Sequence, residues 1–104
     1  MITWPCMLKL DGDDELIYLP SQADFIVECH EVLLSDTDNV IDSRGNSYLI
    51  QATSQNLKLL PTERVFTVDE VTSLLRAHEF QKATLCLAKI HFVSVSDAIR
   101  SLAY

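Results

Sequence analysis

An alternating run that stops at an Asp-Gly pair constrains this chain most. In residues 4–10, Trp4, Cys6, Leu8 and Leu10 point one way, and Pro5, Met7 and Lys9 point the other. A period of two describes a half-buried strand. Pro5 has no N–H for a ladder, so it belongs at the strand's start or on an edge. Asp11-Gly12-Asp13-Asp14 follows, and an Asp-Gly pair between apolar runs is a strong hairpin signal. Glu15–Leu19 is then the return strand, and Pro20 ends it.

The pattern next switches to helical spacing. Ser21 is placed to cap the amide of Asp24, whose carboxylate suits the positive end of a helix. Phe25, Ile26, Cys29, Val32 and Leu33 form the expected buried stripe, with Asp24, Glu28 and Glu31 opposite. The helix is expected to end near Ser35, before the loop Asp36-Thr37-Asp38-Asn39. A second hairpin joins Val40-Ile41-Asp42 to Ser47–Ala52, with Gly45 supplying the positive φ. Asn56–Leu60 reads as a further short strand closed by Pro61.

Thr67-Val68-Asp69-Glu70 is a capping box, the clearest helix start in the chain. Val68, Val71, Leu74, Leu75 and His78 continue its core face toward Gln81. Residues 84–92 fit a strand with Cys86, Ala88, Ile90 and Phe92 on one face, and less well a helix striped by Ala83, Leu87 and Ile90. Ser94 or Ser96 caps a last short helix through Ala98, Ile99 and Leu102. The expected class is α+β: a mixed, mainly antiparallel sheet of two hairpins plus a later strand, with two main helices and a short C-terminal helix packed on it. A chain of 104 residues buries about 65% of its surface, enough for one core, so residues 1–104 read as a single domain.

Charge narrows the partners. Residues 1–50 carry ten acids against two bases, a net of −8, and residues 51–104 five acids against six bases, a net of +1. Phosphate binding needs clustered Lys and Arg, so nucleic acid is not an expected partner. A basic protein surface, a cation, or a second copy of the chain suits this distribution better. The bland alternative is a solvated acidic face that keeps the protein soluble. No run approaches the roughly 20 apolar residues of a membrane span, and no secretory signal is visible, so the expected address is the cytoplasm. The three cysteines, Cys6, Cys29 and Cys86, read as reduced core thiols.

The run Trp4-Pro5-Cys6 with Lys9 through Leu19 resembles the opening of a small bacterial family known only as a domain of unknown function. Val40-Ile41-Asp42-Ser43 before the glycine turn, and Ala88-Lys89 after the second long helix, fit the same pattern. The resemblance implies a bacterial setting and a compact domain. It brings no activity and no site residues.

The chemical motifs are sparse. Asp11, Asp13, Asp14 and Glu15 could hold a divalent cation, but the calcium-loop pattern with its distal glutamate is missing. The plainer reading is a turn whose carboxylates satisfy local amides. Cys29 and His30 are adjacent, and neighbours on a helix point about 100° apart, so they make a poor nucleophile–base pair. Cysteines and histidines show neither Cys-x-x-Cys nor His-x-x-x-His, and Gly12 and Gly45 are isolated, so neither zinc nor a nucleotide cofactor is expected. Trp4 is a candidate partner anchor or a lid on the end of the sheet, and Lys89 a candidate edge charge.

Two functions compete. The first is a small acidic cytoplasmic protein-interaction module without catalytic activity, binding a basic surface or itself as a homodimer. Its candidate contacts are Trp4, Asp11, Asp13, Asp14, Glu15 and Lys89, and paired strand edges at Asn56–Leu60 or Leu85–Phe92 are one route to self-association. The second is a small enzyme whose site is assembled by the fold from His30, His78, His91, Lys89, the cysteines and the acids. The missing catalytic motifs favour the first.

Overall fold

The computed structural model describes residues 2–31, 37–52, 57–82 and 92–103. Five strands come first: β1 (Cys6–Lys9), β2 (Leu16–Leu19), β3 (Asn39–Ile41), β4 (Asn46–Ala52) and β5 (Leu57–Val65). Helix α1 (Gln22–Glu31) lies between β2 and β3, while α2 (Val68–Lys82) and α3 (Val95–Ser101) follow β5. The sheet order is β2-β1-β3-β4-β5, and every pairing among these strands is antiparallel. The fold is α+β. Because β2 and β3 are both antiparallel to β1 and flank it, they run parallel to each other, and α1 carries the chain across β1 between them.

The period of two sorts the core into two clusters. Cys6, Leu8, Leu19, Val40, Tyr48 and Ile50 face α1 and bury Phe25 and Cys29, with Trp4 and Leu10 packed at the margin. Met7, Leu16 and Ile41 face the other way, onto Phe66, Val71 and Leu75 of the α2 region and Ala98 and Ile99 of α3. The first strand is therefore not half-buried. Met7 is fully buried, because helices cover both sides of the sheet where a single covered face is expected from alternation alone. Pro5 stands immediately before β1, at the start of a strand that lies inside the sheet.

Local signals set the helix starts. Asp24 N–H donates to the Ser21 hydroxyl at 3.4 Å, and that hydroxyl donates to the Asp24 carboxylate at 2.6 Å. At α2 the Thr67 hydroxyl accepts from Glu70 N–H at 3.1 Å, and the Glu70 carboxylate accepts from Thr67 N–H at 2.9 Å. Ser94, not Ser96, caps α3 by accepting from Asp97 N–H.

Three further expectations change. Ile26 is off the core stripe and 40% exposed, since α1 meets the sheet through Phe25 and Cys29. The strand before α2 does not stop at Pro61 but runs on to Val65. An edge strand tolerates proline, and β5 pairs only with β4. The return strand begins at Leu16 and not at Glu15. Residues 32–36, where the end of the first helix was expected, lie outside the described residues, as does the expected strand over 84–91. Phe92 is described and packs on the α2–α3 cluster. Among the described residues no helix is long and apolar enough to cross a membrane.

Candidate functional site

Asp42 is fully buried just after β3. One carboxylate oxygen accepts from the N–H groups of Arg44 and Asn46, each at 2.9 Å. The other accepts from Thr3 N–H at 3.1 Å, Tyr48 Oη at 3.2 Å and Asn46 Nδ2 at 3.4 Å. These donors come from the N-terminal segment, the β3–β4 turn and β4, so one carboxylate ties three pieces of chain together. Burial, with the Asp42 charge and hydrogen bond added, raises the Tyr48 phenol above its ordinary range. Asp42 is thus a structural acceptor with its lone pairs used.

The thiols are closed as well. Cys6 Sγ donates to the Thr3 carbonyl at 3.5 Å, and burial, with the Asp42 charge second, pushes its thiol far above the usual range. Burial pushes Cys29 up to about 11, with smaller contributions from the charges of Glu28 and Asp38. Both stay protonated at neutral pH and neither is a ready nucleophile. His78 is buried in α2, where its Nδ1 accepts from Leu16 N–H at 2.9 Å. That bond fixes the proton of the neutral imidazole on Nε2. Cys29 packs on the α1 side of the sheet and His78 belongs to α2 on the other side, so the sheet separates them. Cys86, Lys89 and His91 lie outside the described residues, and so does the side chain of His30.

The acidic hairpin loop is built differently. Asp11, Asp14 and Glu15 are exposed and Asp13 is partly so. The Asp13 carboxylate accepts from Glu15 N–H at 2.9 Å. Lys9 Nζ donates to the carbonyl of Leu10 at 3.0 Å and to that of Asp13, so the chain's own ammonium fills the cradle of carbonyls. Asp38, buried before β3, accepts from Asp11 N–H at 2.6 Å. Among the described residues no three His, Cys, Asp or Glu side chains converge as metal ligands do. Asp38 and Asp42 also count among the ten acids of the first half, so the acidic surface is smaller than the sequence sum.

Trp4 lies at the opposite end of β1 from this loop, its ring 6.5 Å from that of Phe25. The hairpin brings Asp11, Asp13, Asp14 and Glu15 together and leaves Trp4 apart from them. What sequence reasoning missed is the outer side of α1. Ala23, Ile26 and Val27 recur at i, i+3 and i+4, a strip separate from Phe25 and Cys29, and all three are exposed. Ile26 is 40% and Val27 57% exposed. Placed at 100° per residue, Asp24 and Glu28 flank the strip on the Val27 side. The signal was present: a ten-residue helix with five apolar positions on more than one face.

Residues 4–102 match the family DUF4144, described as a protein structure with unknown function. The chain belongs to this family. A solved structure described as an NMR structure of the protein from Shewanella amazonensis is similar at 27% identity and a TM-score of 0.73, covering 99% of this chain and 89% of that one. No curated protein matches the chain.

Proposed function

We propose that this DUF4144 protein is a non-catalytic, cytoplasmic interaction module that binds a basic, amphipathic surface of another protein through the outer side of α1. The observation that carries this reading is the exposed strip Ala23-Ile26-Val27 with Asp24 and Glu28 along its border. An apolar centre with charges at the rim is how protein interfaces are built. Here the rim is acidic, so the partner's rim is basic. Asp11, Asp14 and Glu15 add a field that steers such a partner without belonging to the strip. The buried thiols, His78 and Asp42 are meanwhile engaged in holding the fold.

The test uses an amphipathic helical peptide of Leu and Lys, titrated against the whole protein, with Trp4 fluorescence as one readout because the Trp4 ring lies tilted 6.5 Å from that of Phe25 in α1. Binding is expected to weaken at least tenfold in Ile26→Ser/Val27→Ser. Asp11→Asn/Asp14→Asn should slow association and leave dissociation unchanged. If the loop variant weakens binding as much as the strip variant, attraction is by charge alone and the reading fails.

A further inference from the structure

The geometry points to self-association: two copies pair their β5 strands edge to edge, antiparallel, across a two-fold axis at Leu59. The strip on α1 takes no part in this contact.

The backbone of β5 sets the possibilities. Pro61 stands opposite Tyr48 and has no N–H, so this is a non-hydrogen-bonded pair of the ladder. Alternation then turns Lys58 and Leu60 toward β4 and leaves the backbone groups of Leu57, Leu59 and Pro61 pointing away from the sheet. Among the described residues no strand takes up those groups, since β5 is the last strand. Beyond Pro61 the register shifts against β4, and Glu63 has a φ of 68°. The regular edge is therefore the stretch Leu57–Pro61.

An axis at Leu59 is the one centre that pairs all five residues of Leu57–Pro61 with one another. Centring the axis on Lys58 sets two ammonium groups directly opposite each other, which is unfavourable. Centring it on Pro61 leaves no N–H to donate there. Centring it on Leu60 pairs Leu57 with the irregular position Glu63. With the axis at Leu59, each Leu59 N–H meets the other copy's Leu59 carbonyl, and Leu57 N–H meets the Pro61 carbonyl. Lys58 then lies opposite Leu60 of the second copy. Leu60 is 43% exposed beside its β4 partner Leu49, so on this face the aliphatic stem of Lys58 covers an apolar pair, while on the other face Leu59 meets Leu59 and Leu57 meets Pro61.

Charge supports a second copy here. The chain carries −7, but the paired stretch Leu57–Pro61 carries Lys58 and no acid, so the two copies meet here without acid facing acid. Pro61 and the shifted register stop the ladder after Leu57–Pro61, and a two-fold pairing of like edges closes on itself.

Sedimentation equilibrium across a concentration series tests this on the whole chain. The wild type is expected to reach twice the mass of one chain. Leu60→Lys sets two like-charged pairs across the axis and raises the dimer dissociation constant by about tenfold. Leu60→Glu sets two opposite-charged pairs with Lys58 and tightens the dimer. Both changes are at an exposed position, and circular dichroism checks that each variant folds. A single-chain mass at every concentration overturns the proposal. Equal weakening by both variants overturns the register and with it the proposal. Loss of the dimer in Ile26→Ser/Val27→Ser would move self-association to α1 and also overturn it, whereas failure of peptide binding there leaves the β5 result standing.

Discussion

Gly12 and Gly45 both carry a positive φ in an aspartate-bearing turn between antiparallel strands, yet a methyl group added at Gly12 meets open space and one added at Gly45 is driven into the carbonyl of Phe66. The difference extends beyond the glycines. The β3–β4 turn contains its own buried acceptor, Asp42, and Gly45 carbonyl accepts from Phe66 N–H at 2.7 Å, tying the turn to the entry of α2. The β1–β2 turn has an acceptor of its own only at the surface, in Asp13, and takes its buried acceptor from Asp38, 27 positions away, and its cation from Lys9. Both turns are written in the same residue types. What separates them is whether another part of the chain packs on top.

The largest way to break this comparison is Asp42→Ala. It strands donors from three segments in a buried place, and each such donor costs about 1–3 kcal/mol when left unpaired. With some relaxation, a loss of about 3–5 kcal/mol is expected, a large share of the roughly 5–15 kcal/mol a domain has. Urea unfolding measures it as a lower midpoint, and Asp42→Asn, which keeps one acceptor oxygen, should fall between. A loss under about 1 kcal/mol would show that water reaches these donors and that the hub is not buried. Next is the glycine pair. Gly45→Ala must distort the Phe66 backbone as well as hold alanine at positive φ, for a cost of about 2–4 kcal/mol. Gly12→Ala bears only the conformational cost, about 1 kcal/mol. Equal losses at the two positions would abolish the distinction between the turns.

The same distinction explains what could be read in the sequence. Features fixed within four residues were legible: the Ser21 and Thr67 caps, the positive φ of Gly45, the alternation that sends Cys6 and Leu8 one way and Met7 the other. Features fixed by distant chain were not. Met7 is buried because α2 and α3 return to the second face more than sixty residues later. Asp38 and Asp42 look like surface acids until Asp11 and Thr3 arrive as donors. Ile26 fits the core stripe by spacing, but among the described residues α1 meets the sheet through Phe25 and Cys29, which is why the candidate binding strip was invisible. Pro61 ends a strand in isolation and is tolerated in β5 because that strand pairs on one side only.

Lys9→Met sharpens the comparison on the exposed turn. It removes the ammonium from the carbonyls of Leu10 and Asp13 while keeping the aliphatic stem. Water can replace it there, so the expected loss is about 1 kcal/mol, well below that of Asp42→Ala. Amide exchange should quicken in residues 10–15 and stay unchanged in 42–46; protection lost in both turns would mean that the two are coupled.

The smallest effect concerns an acid that, like Asp42, accepts a backbone N–H, but at the surface. The Thr67 backbone, followed by Arg64 at 3.1 Å, holds the Glu70 carboxyl below its ordinary value of 4.5. A folded value lower than the unfolded one means that the unfolded chain takes up the proton first as the solution is acidified. The stabilisation is therefore fully present above the ordinary glutamate range and is lost as pH falls through the folded value. Glu70→Gln keeps an oxygen to accept from Thr67 N–H but cannot titrate, so the stability difference between wild type and variant should be level at neutral pH and shrink on acidification. Salt should reduce the part due to Arg64, which is exposed, and leave the Thr67 bond in place. A difference that grows toward low pH would reverse the sign required by a lowered carboxyl, and the capping box would then not be holding the charged form.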